Sequence, residues 1–198
     1  MISDIFVITG FGLIAPILAI FIKENITGGT IIAAGLASTL FILVKSCVQL
    51  PFSRYVDNHD RKVRWLILGT FIISFVPFIY MFATKISHIY TAQIIQGIGA
   101  GLMYPTWLGL WSTHLDKKHE SFEWSLYSTC TGLGVATTAA VGAAIASKFG
   151  YQYSFALTGF LALLGALVLF GLERKKERES KIKSIHFHRK SKLFQRIH

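Results

Sequence analysis

Apolar residues along the chain fall into six runs, at about 5–22, 30–51, 64–83, 89–112, 124–147 and 153–171. Each approaches the ~20 residues that carry an α-helix across ~30 Å of hydrocarbon. None alternates with period two, and each is about twice the length of a barrel strand, so a β-barrel is excluded. Inside lipid the backbone must satisfy its own hydrogen bonds, which leaves helices. The connections read KENITGG, FSRYVDNHDRKV, TKISH, STHLDKKHESFE and SKFGYQ, rich in charge, Gly, Ser and Asn as turns in water are. The pattern predicts an all-α membrane protein with six transmembrane helices over residues 1–171 and a basic tail over 172–198. The first run is not expected to be a secretory leader, because Asp4 rather than basic residues precedes it and five more runs follow.

Composition agrees with that reading: 53% of the 198 residues are hydrophobic and 15% charged, against roughly 25% charged in soluble domains. The formal charge of +10 is concentrated at the end of the chain, where residues 172–198 hold ten Lys/Arg and three acids. On a membrane body such a tail is expected against the anionic cytoplasmic leaflet rather than on nucleic acid. Arg54, Arg61, Lys62, Arg64, Lys117, Lys118 and the ten tail residues fall on one side, and Lys23, Lys85 and Lys148 on the other. Sixteen against three places both termini in the cytoplasm of a multi-pass plasma (inner) membrane protein. Cys47 and Cys130 lie within apolar runs without CxxC or Cys/His spacing, so neither a disulfide nor a metal site is expected. No cofactor is implied.

Charge inside a span costs at least ~2.5–3.5 kcal/mol at the bilayer centre and points to function. Lys45 alone stands there, and Ser38, Lys45 and Gln49 share a helical face suited to a hydrated path. The competing reading is that its ammonium snorkels to the interface. No Asp or Glu lies inside a run, so a carboxylate proton relay is absent. In the fourth segment Gln93, Gln96, Gly97, Ala100, Tyr104, Trp107 and Trp111 fall on one stripe. Aromatic walls with a few polar groups are what small-molecule sites use. Interfacial anchoring of the tryptophans and glutamine bonds to a neighbouring helix are the plainer alternatives. Gly97, Gly101, Gly132, Ala136 and Gly142 are candidates for close helix packing. The seven histidines lie in loops and tail without a nucleophile or acid, so an enzyme is not expected.

The connection between segments two and three carries Asp57, Arg61 and Lys62 within Ser53-Arg54-Tyr55-Val56-Asp57-Asn58-His59-Asp60-Arg61-Lys62. This resembles the G-x-x-x-D-R-x-G-R-K loop of the major facilitator superfamily of secondary transporters, with departures at Ser53, Asn58 and Asp60. In the fourth segment Gln93-Ile94-Ile95-Gln96-Gly97 is similar to that family's R-x-x-x-G with glutamine in place of the arginine. Thr138-Ala139-Ala140-Val141-Gly142-Ala143 is similar to its antiporter motif without the proline, and Lys148-Phe149-Gly150-Tyr151 to its helix five to six junction.

The resemblance implies a half bundle, more like the family's C-terminal half, since the complete unit has two six-helix halves around a central site. It also implies an alternating-access transporter of a small solute, with segments one, two, four and five lining the path. Asp57, Arg61 and Lys62 would gate its cytoplasmic side. Lys45 without a spanning acid favours an anionic solute over a cation. A second half is expected, as a homodimer or a partner half-transporter; whether the chain is a fragment, a split half or a self-pairing half stays open. The alternative is a non-transporting scaffold or regulator using the same fold and its basic tail.

Overall fold

The computed structural model describes residues 2–58, 62–112 and 118–194, and for 2–6, 62, 172 and 175–194 it describes the backbone alone. Among the described residues seven α-helices follow in order: α1 (Ile2–Gly12), α2 (Ala15–Asn25), α3 (Ile31–Asp57), α4 (Lys62–Met81), α5 (Ile86–Ser112), α6 (Glu120–Phe149) and α7 (Tyr151–Phe194). Five of the six apolar runs are each one helix. The first is broken in two.

The break has a local cause. Pro16 has no N–H to donate to Gly12, and its ring would clash with that carbonyl in a continuous helix. The chain instead tightens: the Leu13 and Ile14 amides donate to the Gly10 and Phe11 carbonyls at 3.1 and 3.2 Å, and Pro16 enters α2 in its first turn. Pro51, Pro77 and Pro105 sit inside helices that continue through them.

Among the described residues four helical stretches are long and apolar enough to cross a membrane: Ile31–Asp57, Val63–Met81, Glu120–Phe149 and Tyr151–Gly171. The 27-residue α5 is long enough but carries Gln93, Gln96, Tyr104 and several glycines, and α1 and α2, at 11 residues each, are too short to span singly. Helix α7 runs on past Gly171 to Phe194, so the change from apolar to basic sequence at 171/172 is one of composition within a continuous helix.

The helices close into a ring of neighbours. Helix α5 lies between α3 and α4, α4 packs on α7, α1 packs on α7 and α6, and α2 touches α3 and α6. Two buried clusters fill the interior. The larger, built on Leu13, Ile17, Phe21, Ile22, Val76, Tyr80, Ile89 and Phe155, occupies the half near the α2–α3 and α4–α5 connections. There Thr27 and Lys85 form an isolated bridge, with Thr27 N–H donating to Thr84 O at 2.9 Å. The smaller joins Leu66, Trp107 and Tyr127 near the opposite, basic end. Gly150, at φ +97°, lets α6 turn directly into α7, a conformation an L side chain resists. Helices α3 and α6 bury the smallest share of their apolar windows, leaving Ile42, Leu43, Leu50, Leu126, Leu133 and Val141 bare.

Candidate functional site

The site is organised by the run Gly97-Ile98-Gly99-Ala100-Gly101 in α5. At 100° per residue Gly97 and Gly101 lie on nearly the same side, whereas Gly99 is turned ~200° from Gly97. Three glycines in alternation therefore serve two neighbours. A Cβ on Gly97 would stand 2.9 Å from Val44 Cβ, and one on Gly101 2.7 Å from Val48 Cβ and 3.1 Å from the Lys45 carbonyl oxygen, all on α3. A Cβ on Gly99 would instead meet α4, 2.7 Å from Ile73 Cγ1 and 3.0 Å from the Gly69 carbonyl oxygen. Backbone thus approaches backbone on both flanks of α5, as small residues permit in membrane bundles.

The α3–α5 seam sets Lys45 beside Tyr104. Its ammonium Nζ lies 4.3 Å from the Tyr104 ring centroid, within the ~6 Å reach of a cation–π contact. Lys45 is half-buried and Tyr104 is 39% exposed, so the pair stands at an open edge of the seam rather than in the core. Gln49, one turn along α3, is also half-buried.

The polar and aromatic stripe of α5 is divided by the fold. Gln93 is 4% exposed and buried in the bundle. Gln96 turns to α4, where its Oε1 accepts a hydrogen bond from Tyr80 Oη at 2.9 Å. Trp107 is buried among Trp111, Trp124 and Tyr127, with ring centroids 5.8, 6.0 and 5.0 Å away, and it stacks on Tyr104 at 6.5 Å. Of the six path candidates, the structure brings Lys45, Gln49 and Tyr104 to the seam edge and holds Gln93, Gln96 and Trp107 in packing or interhelical bonds. Among the described residues the buried Trp111 Nε1 has no hydrogen-bond partner, a donor left over by the aromatic cluster.

Asp57 is the last residue of α3 and exposed; beyond it Asn58 Nδ2 donates to the Arg54 carbonyl at 2.9 Å. Arg61 lies outside the described residues, and Lys62 is described as backbone only, at the start of α4. The packing candidates separate as well. Gly97 and Gly101 form the α3 seam, and Gly142 receives the backbone of Leu13 at the α1–α2 break, while its carbonyl accepts from Ser154 Oγ at 3.0 Å. Among the described residues Gly132 has no atom within 4 Å of a Cβ position, and Ala136 is exposed, so both face away from the helices packed on α6.

Sequence reasoning missed the Gly69–Gly99 crossing and the Tyr80–Gln96 bond. The first was legible in principle, because a glycine two positions from a Gly-x-x-x-Gly pair must face the other way. The second depends on which helix lies beside α5, which periodicity does not encode.

The profile of the Major Facilitator Superfamily matches residues 1–196. The chain belongs to the major facilitator superfamily. It is a multi-pass membrane protein of that family, whose members are transporters. It is similar to an uncharacterized MFS-type transporter of Methanocaldococcus jannaschii, 25% identical over 162 residues that cover 81% of this chain and 41% of the relative. It is also similar to a multi-drug resistance efflux pump PmrA homolog of Lactococcus lactis subsp. lactis, 23% identical over 165 residues covering 82% of this chain and 40% of the pump. The chain spans about two fifths of the length of these curated relatives.

Proposed function

We propose that this major facilitator chain is one six-helix unit of an alternating-access secondary transporter for a small solute, with α1 and α2 together forming its first crossing. Residues 1–171 form the transmembrane unit and 172–198 a basic cytoplasmic tail, in a plasma membrane with both termini inside. The unit works with a second six-helix half, a second copy or a partner, meeting it through α3 and α6. Support for that pairing comes from the bare apolar faces of those two helices, from Gly132, whose Cβ position has no described atom within 4 Å, and from the exposed Ala136. The lengths of the relatives agree with it.

One observation carries the substrate reading: the Lys45 ammonium rests on the Tyr104 ring at the edge of the α3–α5 seam. A ring face holds a cation without neutralising it, so the ammonium can be released to an anionic group of the solute. Among the described residues no carboxylate forms a salt bridge with Lys45, and no acid lies within the apolar stretch of any helix. The path is therefore electropositive and favours a carboxylate-bearing solute. Asp57, with Arg61 and Lys62, gates the cytoplasmic side. The test is uptake into vesicles with labelled benzoate as anionic probe and ethidium as cationic probe, after crosslinking has confirmed a pair of halves. Lys45→Gln is expected to abolish benzoate uptake and Lys45→Arg to retain part of it. Preference for ethidium, or benzoate uptake indifferent to Lys45→Gln, overturns the reading.

A further inference from the structure

A second feature lies apart from the α3–α5 seam, between α4 and α7. A cavity of about 590 Å³ opens there, lined along α4 by Arg64, Ile67, Leu68 and Phe71 and along α7 by Ala166, Leu167, Phe170, Glu173 and Arg174. The positions recur at three- and four-residue spacing on both helices, so each contributes a single stripe. The two helices run antiparallel, and both stripes are charged at the same, basic end and apolar toward the membrane interior. From Arg64 to Phe71 the groove descends about 10 Å. Leu68, Phe71, Leu167 and Phe170 are 44, 43, 59 and 43% exposed, so its walls are uncovered within this chain.

The charged mouth is built. Arg64 Nε lies 3.9 Å from Glu173 Oε1, and the Arg174 guanidinium carbon stands 4.7 Å above the Phe170 ring. Two guanidinium groups against one carboxylate leave the mouth net positive. An apolar trough that ends in paired arginines at interface depth has the polarity of a phospholipid, acyl chain below and phosphate above, and guanidinium binds phosphate oxygens in a fixed fork.

We propose that the α4–α7 groove is a binding site for one anionic glycerophospholipid, whose acyl chain lies along Leu68, Phe71, Leu167 and Phe170 and whose phosphate accepts hydrogen bonds from Arg64 and Arg174. The proposal rests on the chain being membrane-spanning, but not on its orientation, its solute or its pairing. It adds a lipid-recognising surface between α4 and α7, separate from the α3–α5 seam.

Native mass spectrometry of the full chain, purified in detergent and offered phosphatidylglycerol and phosphatidylcholine of matched acyl chains, tests it. Preferential retention of one phosphatidylglycerol is expected, because phosphatidylcholine carries its own cation to a positive mouth. Arg174→Gln leaves the Arg64–Glu173 pair in place and should weaken phosphatidylglycerol retention about fivefold, the effect of ~1 kcal/mol per basic residue near anionic lipid. Arg174→Lys should restore part of it, and Leu167→Trp, which narrows the trough, should lower retention without changing the charge. Retention unchanged by Arg174→Gln, retention reduced equally by Arg54→Gln at the exposed end of α3, or displacement of the lipid by inorganic phosphate alone would each overturn the proposal. Unaltered helical circular dichroism in each variant shows that binding, not folding, has been read.

Discussion

Replacing Gly101 with alanine puts one methyl into the tightest part of the α3–α5 seam. The new Cβ would lie 2.7 Å from Val48 Cβ and 2.8 Å from Val48 Cγ1, where carbon atoms at rest prefer ~3.5–4.0 Å. Val48 is β-branched and stiff at χ1, and the Lys45 carbonyl 3.1 Å away is backbone, so the helices must separate. Overpacking of this kind costs ~1–3 kcal/mol. Alanine also gains up to ~1 kcal/mol of helix propensity over glycine. Gly132→Ala supplies the control, since it carries the same propensity gain at a position with no described atom within 4 Å of the new Cβ. The difference between the two variants therefore isolates the seam, and Gly101→Ala is expected to be ~1–3 kcal/mol less stable than Gly132→Ala in detergent unfolding followed by circular dichroism. Separation of the helices also draws Lys45 from the Tyr104 ring, so Lys45→Gln should have less effect in the Gly101→Ala background than in the parent, a coupling that a double-mutant cycle measures. Equal stability of the two alanine variants, or additivity of Lys45→Gln with Gly101→Ala, would refute the reasoning.

Further outcomes follow from other parts of the fold. Cysteine placed at the exposed Thr27 should react with an impermeant reagent added outside intact cells; protection there, with labelling of the tail instead, would reverse the topology. Asp57→Asn should change the rate of transport more than the apparent affinity for solute, and an unchanged rate would leave the loop with the positive-inside signal alone. Gly132→Leu should reduce crosslinking between halves while sparing the helicity of the single unit, because the Cβ position has no described atom within 4 Å; full crosslinking would remove α6 from the interface. Tyr80→Phe removes the donor to Gln96 and should cost ~0.5–1.5 kcal/mol of stability, with no loss indicating that the glutamine finds another partner.

Hydropathy alone determined the class of this protein and the approximate limits of most of its helices, because a membrane imposes one length and one solution to backbone hydrogen bonding on every span. Charge asymmetry set an expected orientation, and the loop and glycine motifs carried the family. The sequence also contained the signal for the first helix's break, in Pro16 four residues after Gly12, although an unbroken apolar run hides it. What only the tertiary structure decided is which side of each helix meets which neighbour. A stripe from Gln93 to Trp111 is continuous on an isolated helix, yet α5 has α3 on one flank and α4 on the other, so Gln96 is taken up by Tyr80, Trp107 by the aromatic cluster, and Tyr104 is left at the edge beside Lys45. The α4–α7 groove was likewise invisible, since Arg64 and Arg174 are more than a hundred residues apart and each reads alone as an ordinary interfacial cation. Periodicity describes one helix at a time; the assignment of its faces comes from which helices lie closest together.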